Sequence, residues 1–371
     1  MELPLKTTES KIIPKPGILR VPIYIGGKGK SKGVDQYIKL SANENPYGPS
    51  AKAIKAFLGA KDSLAVYPDS SHNDLRNSIA EVMGIDSNKI ICGAGSDEII
   101  HFLCQCYAGR DDEVIHTEHG FAMYRISALA VGANPIEVPE MKRHANISAI
   151  IKACTEKTKL IFLANPNNPT GTFIDSNKIS LLADSIPEHT LLVLDGAYAE
   201  YIKDFDAGLR LAEKKNNVFI TRTFSKIYGL GSLRVGWGYG PRNVIDALNR
   251  VKGPFNLSSA AQVTALEAIK DTEYVKKCRE DNQILRENLS LELRKINIPC
   301  DPSFANFLLL QFLDRHTANS ADQFLNINGI IVRNVSNYGL ESSLRISVGT
   351  STDCEAVIKA LTKFQEQRNA I

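Results

Sequence analysis

The segment TRTFSKIYGLGSLRVG, residues 221–236, places a lysine between a hydroxyl cluster and an arginine. Lys226 closely follows Thr223 and Ser225, and Arg234 comes eight residues after the lysine, beyond two glycines. A lysine amine reacts with an aldehyde, whereas hydroxyls and the planar fork of an arginine suit a phosphate. The segment therefore favours a site for a phosphorylated aldehyde, and the simpler alternative is a solvated loop lysine.

Other polar residues follow apolar runs elsewhere in the chain. Asp195 ends the run LLVLD, where a carboxylate is costly unless it has a partner. The turn NPNNPTG presents Asn168 after the run LIFLA. The glycine turn GAG opens a helix at Ser96 and Asp97, whose free N–H groups suit an anion, although both residues also suit a helix cap. Together with Lys226, these residues suit a phosphorylated aromatic ring that carries an aldehyde and a nitrogen.

The elements that position these residues follow from the hydrophobic pattern. Between residues 89 and 240, apolar runs of strand length alternate with helical patterns. Aliphatic runs without polar alternation indicate strands covered on both faces. The alternation predicts an α/β domain with a mostly parallel central sheet and helices on both faces. Because ligands bind such sheets beyond the carboxyl ends of the strands, we expect the polar residues above to meet there.

The pattern changes towards both ends of the chain. After residue 255 a long helical stretch precedes short strands and further helices, which predicts a smaller α+β domain over residues 256–371. The large domain is expected over residues 41–255. Residues 1–40 lack a strong pattern, and we expect them to pack on the small domain.

Composition and charge indicate which kinds of partner and which cellular compartment to expect for this protein. The chain has 371 residues, 43% of them hydrophobic, and a formal net charge of only +3, so we expect neither nucleic acid nor a membrane as partner. Seven cysteines, an odd number, favour reduced thiols in a cytoplasmic protein.

The glycine-rich IGGKGKSKG, residues 25–33, lacks the first glycine of a phosphate-binding loop and is interpreted as a surface loop. The histidines of HTEH, residues 116–119, are interpreted as loop residues, and no metal is expected.

Several motifs occur in the order found in one enzyme family. NPNNPTG, LDGAY and TFSKIYGLGSLRVG resemble the fold-type I pyridoxal-phosphate aminotransferases. LSANENPYGPS, YPD, GAGSDEII, EHGFAMYRISA and GIIVRNVSNYGLESSLRISVGT are similar to the histidinol-phosphate aminotransferase family. The resemblance implies the PLP-dependent transferase fold of type I, with the cofactor pyridoxal 5′-phosphate in the large domain.

The resemblance also implies roles for individual residues. Lys226 would bind the cofactor's aldehyde and move the substrate proton, Asp195 would keep the ring nitrogen protonated, and Tyr198 would join Asn168 at the ring oxygen. Phe121 stands where the family usually has a tyrosine stacked on the ring. Residues expected at the cofactor's phosphate are Gly95, Ser96, Asp97, Thr223, Ser225 and Arg234, with Tyr67 of YPD contributed by the partner subunit of a homodimer with shared active sites.

Two arginines near the C-terminus resemble the family's anion-binding pair. Arg333 and Arg345 each lie in a short predicted strand, where a surface salt bridge is the ordinary interpretation of one arginine. As a pair they would bind the carboxylate of glutamate or 2-oxoglutarate and the phosphate of histidinol phosphate. The other wall of the substrate site is expected to include Asn43, Glu44 and Tyr47.

Alternative functions stay open at this point. Within the same fold, an aromatic amino-acid aminotransferase and a decarboxylase of a phosphorylated amino acid are the competitors. A non-catalytic ligand-binding protein is a further alternative, but it would not need Lys226, Asp195 and Arg234 together. Gly196 departs from the DEAY that many relatives carry, which removes a carboxylate beside the site.

Overall fold

The computed structural model describes residues 12–15, 17–21, 23 and 37–369, and these residues form three sheets with helices around them. The twelve strands of the described chain are β1 (Ile38–Lys39), β2 (Ile90–Gly93), β3 (Glu113–Thr117), β4 (Asn134–Val138), β5 (Thr158–Ala164), β6 (Leu191–Asp195), β7 (Val218–Thr223), β8 (Gly236–Tyr239), β9 (Phe307–Gln311), β10 (Ile330–Ile331), β11 (Arg333–Asn334) and β12 (Ser343–Ser347).

Helices separate most of these strands. The α-helices of the described chain are α1 (Ala51–Gly59), α2 (Asn73–Met83), α3 (Ser96–Tyr107), α4 (Ala122–Val131), α5 (Ile147–Ala153), α6 (Ser176–Ser185), α7 (Leu209–Lys214), α8 (Arg242–Val251), α9 (Ser259–Lys270), α10 (Thr272–Lys295), α11 (Arg315–Ile327) and α12 (Ser351–Asn369). Several of these helices begin at a residue whose side chain accepts a hydrogen bond from a backbone N–H group of the first turn. Ser50 caps α1, Asn146 caps α5 and Ser258 caps α9, as expected for residues that satisfy the free N–H groups there.

The central sheet has seven strands in the order β2-β8-β7-β6-β5-β3-β4. Strand β8 runs opposite to the other six strands of this sheet, because it pairs antiparallel with β2 and β7 while the remaining pairs are parallel. Along β6, Leu192 and Leu194 pack into one core cluster and Leu191 and Val193 into another. Since successive side chains of a strand point to opposite faces, this division means that the sheet is covered on both faces. The predicted mostly parallel sheet between two helical layers is confirmed.

A smaller antiparallel sheet of order β11-β12-β9 lies in the C-terminal part of the chain. Its apolar side chains join α10, α11 and α12 in a separate core cluster, which includes Leu293, Leu325 and Leu361. This arrangement agrees with the expected small α+β unit. Ala261 and Ala265 of α9 pack into the core cluster that also contains Leu192 and Leu194 of β6. The domain boundaries themselves stay a prediction.

The described part of the N-terminal segment contacts both lobes. Strand β1 pairs in parallel with β10 of the C-terminal part, whereas a short 3₁₀ turn, Ile18–Arg20, lies against α4. Contact with the small lobe was expected, and contact with the large lobe was not. The predicted surface loop at residues 25–33 lies outside the described residues.

Candidate active site

A cavity of about 210 Å³ lies beyond the carboxyl ends of the parallel strands of the central sheet. Strands β2, β3, β5, β6 and β7 each deliver residues to it, from the last residue of the strand or from the loop or helix start that follows. Strands β11 and β12 close it from the small sheet. This placement is the one expected for a ligand site in such a sheet. Of the residues predicted from the sequence, those in the cavity wall are Asn43, Ser96, Asp97, Phe121, Asn168, Asp195, Tyr198, Thr223, Ser225, Lys226, Arg234, Arg333 and Arg345.

Four predicted residues lie outside the cavity wall of the single chain. Gly95 lies beneath the side chain of Arg234. Tyr67 is 78% exposed and stacks on Phe255, with ring centroids 4.5 Å apart. The remaining two belong to neighbouring surface features, since Tyr47 lines a smaller hollow near Cys278 and Glu44 pairs with Lys39.

Lys226 projects into the cavity from the loop after β7. Its Nζ donates to the carbonyl of Ala42 at 3.3 Å and lies 5.7 Å from the centre of the Tyr198 ring. Desolvation lowers the pKa of Lys226 to about 8, and the positive charge of Arg345 contributes in the same direction. The lowered pKa increases the neutral fraction of this amine near neutral pH, which suits a nucleophile for an aldehyde.

Asp195 ends β6 at the floor of the cavity and is buried. Its Oδ2 accepts a hydrogen bond of 2.7 Å from the hydroxyl of Tyr124, and its Oδ1 accepts one of 3.2 Å from the backbone N–H of Ala197. Burial raises the pKa of Asp195, and the bond from Tyr124 acts against that shift. A carboxylate held in this way is suited to pair with a protonated ring nitrogen.

Tyr198 and Asn43 form a hydrogen-bonded pair across the cavity. Asn43 Nδ2 donates to the Tyr198 hydroxyl at 2.8 Å, and both residues are buried. Burial raises the pKa of Tyr198 to about 12, so its hydroxyl stays protonated and can donate. Asn43 adopts a φ of 57°, a left-handed conformation that is uncommon for residues other than glycine and that turns its side chain towards Tyr198.

The opposite end of the cavity is built for an anion. Gly95 is the N-cap of α3, so neither Ser96 nor Asp97 caps the helix, and the cap has no side chain to occupy the first N–H groups. A Cβ at Gly95 would lie only 2.3 Å from Nη2 of Arg234. Glycine is therefore needed for the arginine to cross the helix start. Arg234 also contacts the Ser225 hydroxyl at 3.1 Å and the Asp97 carboxylate at 3.1 Å.

The two arginines of the small sheet face each other. Arg333 on β11 is the direct cross-strand partner of Arg345 on β12, and both are buried. Arg345 donates to Asn168 Oδ1 at 2.6 Å and to the Ser41 carbonyl at 2.8 Å. Because like charges directly opposite each other destabilise a sheet, their pairing beside a cavity favours a role in binding an anion.

The structure accounts for one of the two departures from the family pattern. Gly196 is buried, and a Cβ there would lie 2.9 Å from Ala207 and 2.9 Å from the Arg222 side chain. A glutamate would not fit without moving Arg222, which is already paired with Glu200 at 2.9 Å. Nothing in the structure explains the other departure: the Phe121 ring makes an edge contact with Tyr124, with centroids 5.8 Å apart.

Two aromatic residues of the cavity were not identified from the sequence. Tyr124, in α4, is completely buried and stacks on Phe162 while its hydroxyl reaches Asp195. Tyr338 lies in the turn between β11 and β12 and lines the cavity beside both arginines. The sequence signal for Tyr338 was its position between Arg333 and Arg345, whereas Tyr124 looked like any core residue of a helix.

The described chain offers neither a metal centre nor a membrane-spanning helix. Residues 12–15, 17–21, 23 and 37–369 contain no cluster of three or more histidine, cysteine or acidic side chains arranged to hold a metal ion. Within the same ranges, none of the helices combines the length and the apolar character needed to cross a membrane.

Comparison with known proteins relates the whole chain to one family. Residues 35–361 match the model of the family aminotransferase class I and II. The chain is 55% identical over 358 residues to a histidinol-phosphate aminotransferase of Dinoroseobacter shibae, covering 96% of this chain and 99% of the relative. It is 49% identical over 364 residues to the enzyme of the same name from Paracoccus denitrificans, covering 98% and 99%.

Solved structures share the fold at lower sequence identity. The crystal structure of the histidinol-phosphate aminotransferase from Sinorhizobium meliloti in complex with pyridoxal-5′-phosphate has a TM-score of 0.90 and 24% identity, with 96% of this chain and 98% of that chain covered. An aromatic aminotransferase from Pyrococcus horikoshii has a TM-score of 0.79 and 21% identity, with 91% and 98% covered. These likenesses establish the predicted fold and do not distinguish substrates.

Proposed function

The chain belongs to the aminotransferase class I and II family, and we propose that it interconverts histidinol phosphate and 2-oxoglutarate with imidazole acetol phosphate and glutamate. The observation that carries this proposal is the set of charged groups around one cavity. Asp195 ends β6, and Lys226 and Arg234 lie in the segment between β7 and β8. Arg333 and Arg345 enter from the small sheet. The names of the curated relatives support histidinol phosphate rather than an aromatic amino acid as the substrate.

The donor set fits pyridoxal 5′-phosphate. A partly neutral lysine amine suits the aldehyde, a buried carboxylate suits the ring nitrogen, and an uncapped helix start with Arg234 suits the phosphate. Lys226 would therefore hold the aldehyde end of the cofactor, and Asp195 would hold its ring nitrogen. The residues that would contact the rest of the cofactor are Gly95, Ser96, Asp97, Phe121, Asn168, Tyr198, Thr223, Ser225 and Arg234.

Each catalytic residue has a defined task. When bound, pyridoxal phosphate supplies an aldehyde carbon that accepts the amino group and a ring that withdraws electrons from it. Lys226 Nζ would take the proton from Cα of the amino donor as a base and then deliver it, as an acid, to the carbon on the other side of the amino nitrogen. Asp195, whose ionised form is favoured by the hydrogen bond from Tyr124, would hold a proton on the ring nitrogen. Tyr198 would donate a hydrogen bond from its protonated hydroxyl to the ring oxygen.

Arg333 and Arg345 would bind the anionic group of each substrate in turn. Glutamate presents a carboxylate where histidinol phosphate presents a phosphate ester on a methylene. One guanidinium satisfies the two oxygens of a carboxylate, and a second adds contacts to the larger charge of a phosphate. Asn43 also lines the cavity, and its backbone N–H donates to the Ser347 hydroxyl of β12 at 2.8 Å. The expected substrate contact of Tyr47 has no support within the single chain, where that side chain is 39% exposed.

A homodimer would complete the site. Tyr67 is 78% exposed at the edge of a surface that includes the exposed Leu64 and Val66. Exposed apolar side chains gathered in one place mark an interaction surface. A second copy of the chain placed there would let Tyr67 reach the neighbouring cofactor phosphate. The cytoplasmic location expected from the cysteines stays a prediction.

Two assays test the proposal. Steady-state rates with histidinol phosphate and with phenylalanine, each with 2-oxoglutarate, are compared, and a higher kcat/KM for phenylalanine would refute the substrate assignment. The Lys226→Ala variant should still bind pyridoxal phosphate but lose at least a factor on the order of 10²–10⁴ in turnover, the size of a general base contribution. Sustained multiple turnover by that variant would refute the assignment of Lys226.

A further inference from the structure

His119 connects the two walls of the cavity. It lies in the loop between β3 and α4, two residues before Phe121, and only 7% of it is exposed. Its Nδ1 is 2.7 Å from the backbone carbonyl of Tyr338, which lies 219 positions away in the chain. A carbonyl oxygen only accepts, so Nδ1 carries the hydrogen and His119 is the donor.

The backbone of His119 is fixed on the large-lobe side. Its N–H donates to Oε1 of Glu140 at 3.3 Å, and its carbonyl accepts from Nδ2 of Asn167 at 3.3 Å. Asn167 is the neighbour of Asn168 in the turn after β5. The main chain of His119 is thus tied to the loops of the central sheet, while its side chain extends to the small lobe.

The receiving segment on the small lobe carries the turn between the two arginines. Residues 336–338 form a 3₁₀ turn directly after β11, and Gly339 follows in a left-handed conformation with φ of 74°. A Cβ at Gly339 would lie 3.6 Å from Cε1 of His119, so the imidazole packs against this glycine. Because Arg333 precedes the turn and Arg345 follows it, the position of the turn affects both guanidinium groups.

Apolar contacts hold the same segment independently of the histidine. Val335, Tyr338, Leu340 and Leu309 form a small buried cluster, with Ala122 of α4 packed against it. These contacts are non-directional, since apolar burial depends on area rather than on alignment. The hydrogen bond from His119 is directional and can select one position of the turn among those that the apolar cluster allows.

We propose, on the premise of the transaminase function above, that His119 is a positioning residue for substrate binding. It holds the 336–339 turn in the position at which Tyr338, Arg333 and Arg345 line the cavity together, and so sets the affinity for the anionic group of the substrate. His119 itself does not line the cofactor cavity and takes no part in proton transfer.

Three variants of the cofactor-loaded enzyme separate this role from a structural one. His119→Leu removes the donor and keeps apolar bulk. His119→Asn keeps an amide donor close to the position of Nδ1. His144→Leu is the matched control, because the exposed His144 makes a comparable 3.0 Å contact, but only to the nearby Lys142 carbonyl.

The measurements are KM and kcat for histidinol phosphate, the dissociation constant of pyridoxal phosphate, and amide hydrogen exchange of residues 335–345. We expect His119→Leu to raise KM about two- to tenfold, the loss of one neutral hydrogen bond, with kcat within about twofold. Exchange at residues 335–345 should become faster, and cofactor affinity should not change. His119→Asn should restore most of the KM and the slow exchange, and His144→Leu should match the wild type.

Other results would overturn the proposal. Unchanged KM and exchange in His119→Leu, equal losses in His119→Leu and His119→Asn, or a parallel loss of cofactor affinity would each exclude a positioning role. If the wild type does not use histidinol phosphate, the proposed substrate is wrong, and the exchange measurement alone still decides whether His119 holds the turn.

Discussion

The hydroxyl of Tyr124 donates a hydrogen bond of 2.7 Å to Oδ2 of Asp195, linking the first turn of α4 to the end of β6. Both residues are buried, and Tyr124 is fixed by its stacking on Phe162 of β5. Burial raises the pKa of Asp195, which would favour a neutral acid that cannot hold a ring proton electrostatically. The Tyr124 hydroxyl opposes that effect, and it therefore supports the ionised form that the proposed chemistry needs.

Replacement of Tyr124 by phenylalanine should destabilise the cofactor-free enzyme at neutral pH. A lost hydrogen bond to a charged group costs about 1.5–3 kcal/mol of unfolding free energy. Since the bond favours ionised Asp195, its loss raises the pKa of Asp195 further. The difference from the wild type should shrink as pH falls through the Asp195 pKa of the variant and then that of the wild type, below which Asp195 is protonated in both proteins.

Urea unfolding at fixed protein concentration, at neutral and at acidic pH, measures this difference. Tyr107→Phe, a partly buried tyrosine of α3 that does not line the cavity, is the control. A difference that grows on acidification would mean that Tyr124 does not act on the charge of Asp195.

Capture of pyridoxal phosphate by the cofactor-free enzyme should depend on pH through Lys226. Desolvation first, and the charge of Arg345 second, lower the pKa of this lysine to about 8. The neutral amine is the nucleophile, so the rate constant should rise with pH and level off above about pH 8. Arg345→Gln should move the midpoint upwards because it removes a neighbouring positive charge. Stopped-flow absorbance follows the reaction, and a rate that rises steadily towards pH 10 would indicate an ordinary lysine.

The two arginines should differ in the substrates they serve. Arg345 contacts Asn168 within the cavity wall, and Arg345→Ala should weaken glutamate and histidinol phosphate alike. Arg333→Ala should weaken histidinol phosphate about ten- to a hundredfold, the loss of one charge-assisted contact, and leave glutamate closer to the wild type. Single-turnover rates of each half-reaction at varied substrate concentration measure this. Equal losses for both substrates in Arg333→Ala would contradict the division.

Tyr67 should contribute to cofactor binding only in the dimer. Tyr67→Phe keeps the stacking on Phe255 but removes the hydroxyl, so affinity for pyridoxal phosphate should fall about ten- to a hundredfold. Tyr37→Phe, another exposed tyrosine, should have no such effect. Equilibrium dialysis gives the affinities and sedimentation gives the oligomeric state. Full activity and full affinity in a monomer would show that no partner subunit completes the site.

Much of this protein can be predicted from its sequence, because the relevant signals are local. Aliphatic runs of strand length indicate a sheet buried on both faces, and the parallel strands then place Asp195, Asn168 and Lys226 at the same edge. Gly95 and Arg234 belong to turn and loop motifs whose backbone shape depends on a few neighbouring residues. The residues that give the cavity its chemistry can therefore be predicted from their positions at the ends of strands or just after them.

Tertiary packing alone decided which distant residues complete the site. The contact of Tyr124 with Asp195 depends on how α4 lies on the sheet, and a helical pattern shows only that Tyr124 is buried. The pairing of Arg333 with Arg345 depends on the register of β11 and β12, and a shift of one residue would turn one of them to the other face. Tyr47 was expected beside Asn43, yet only Asn43 faces the cavity. Directional contacts between separate elements require aligned surfaces, and that alignment arises only when the whole chain packs.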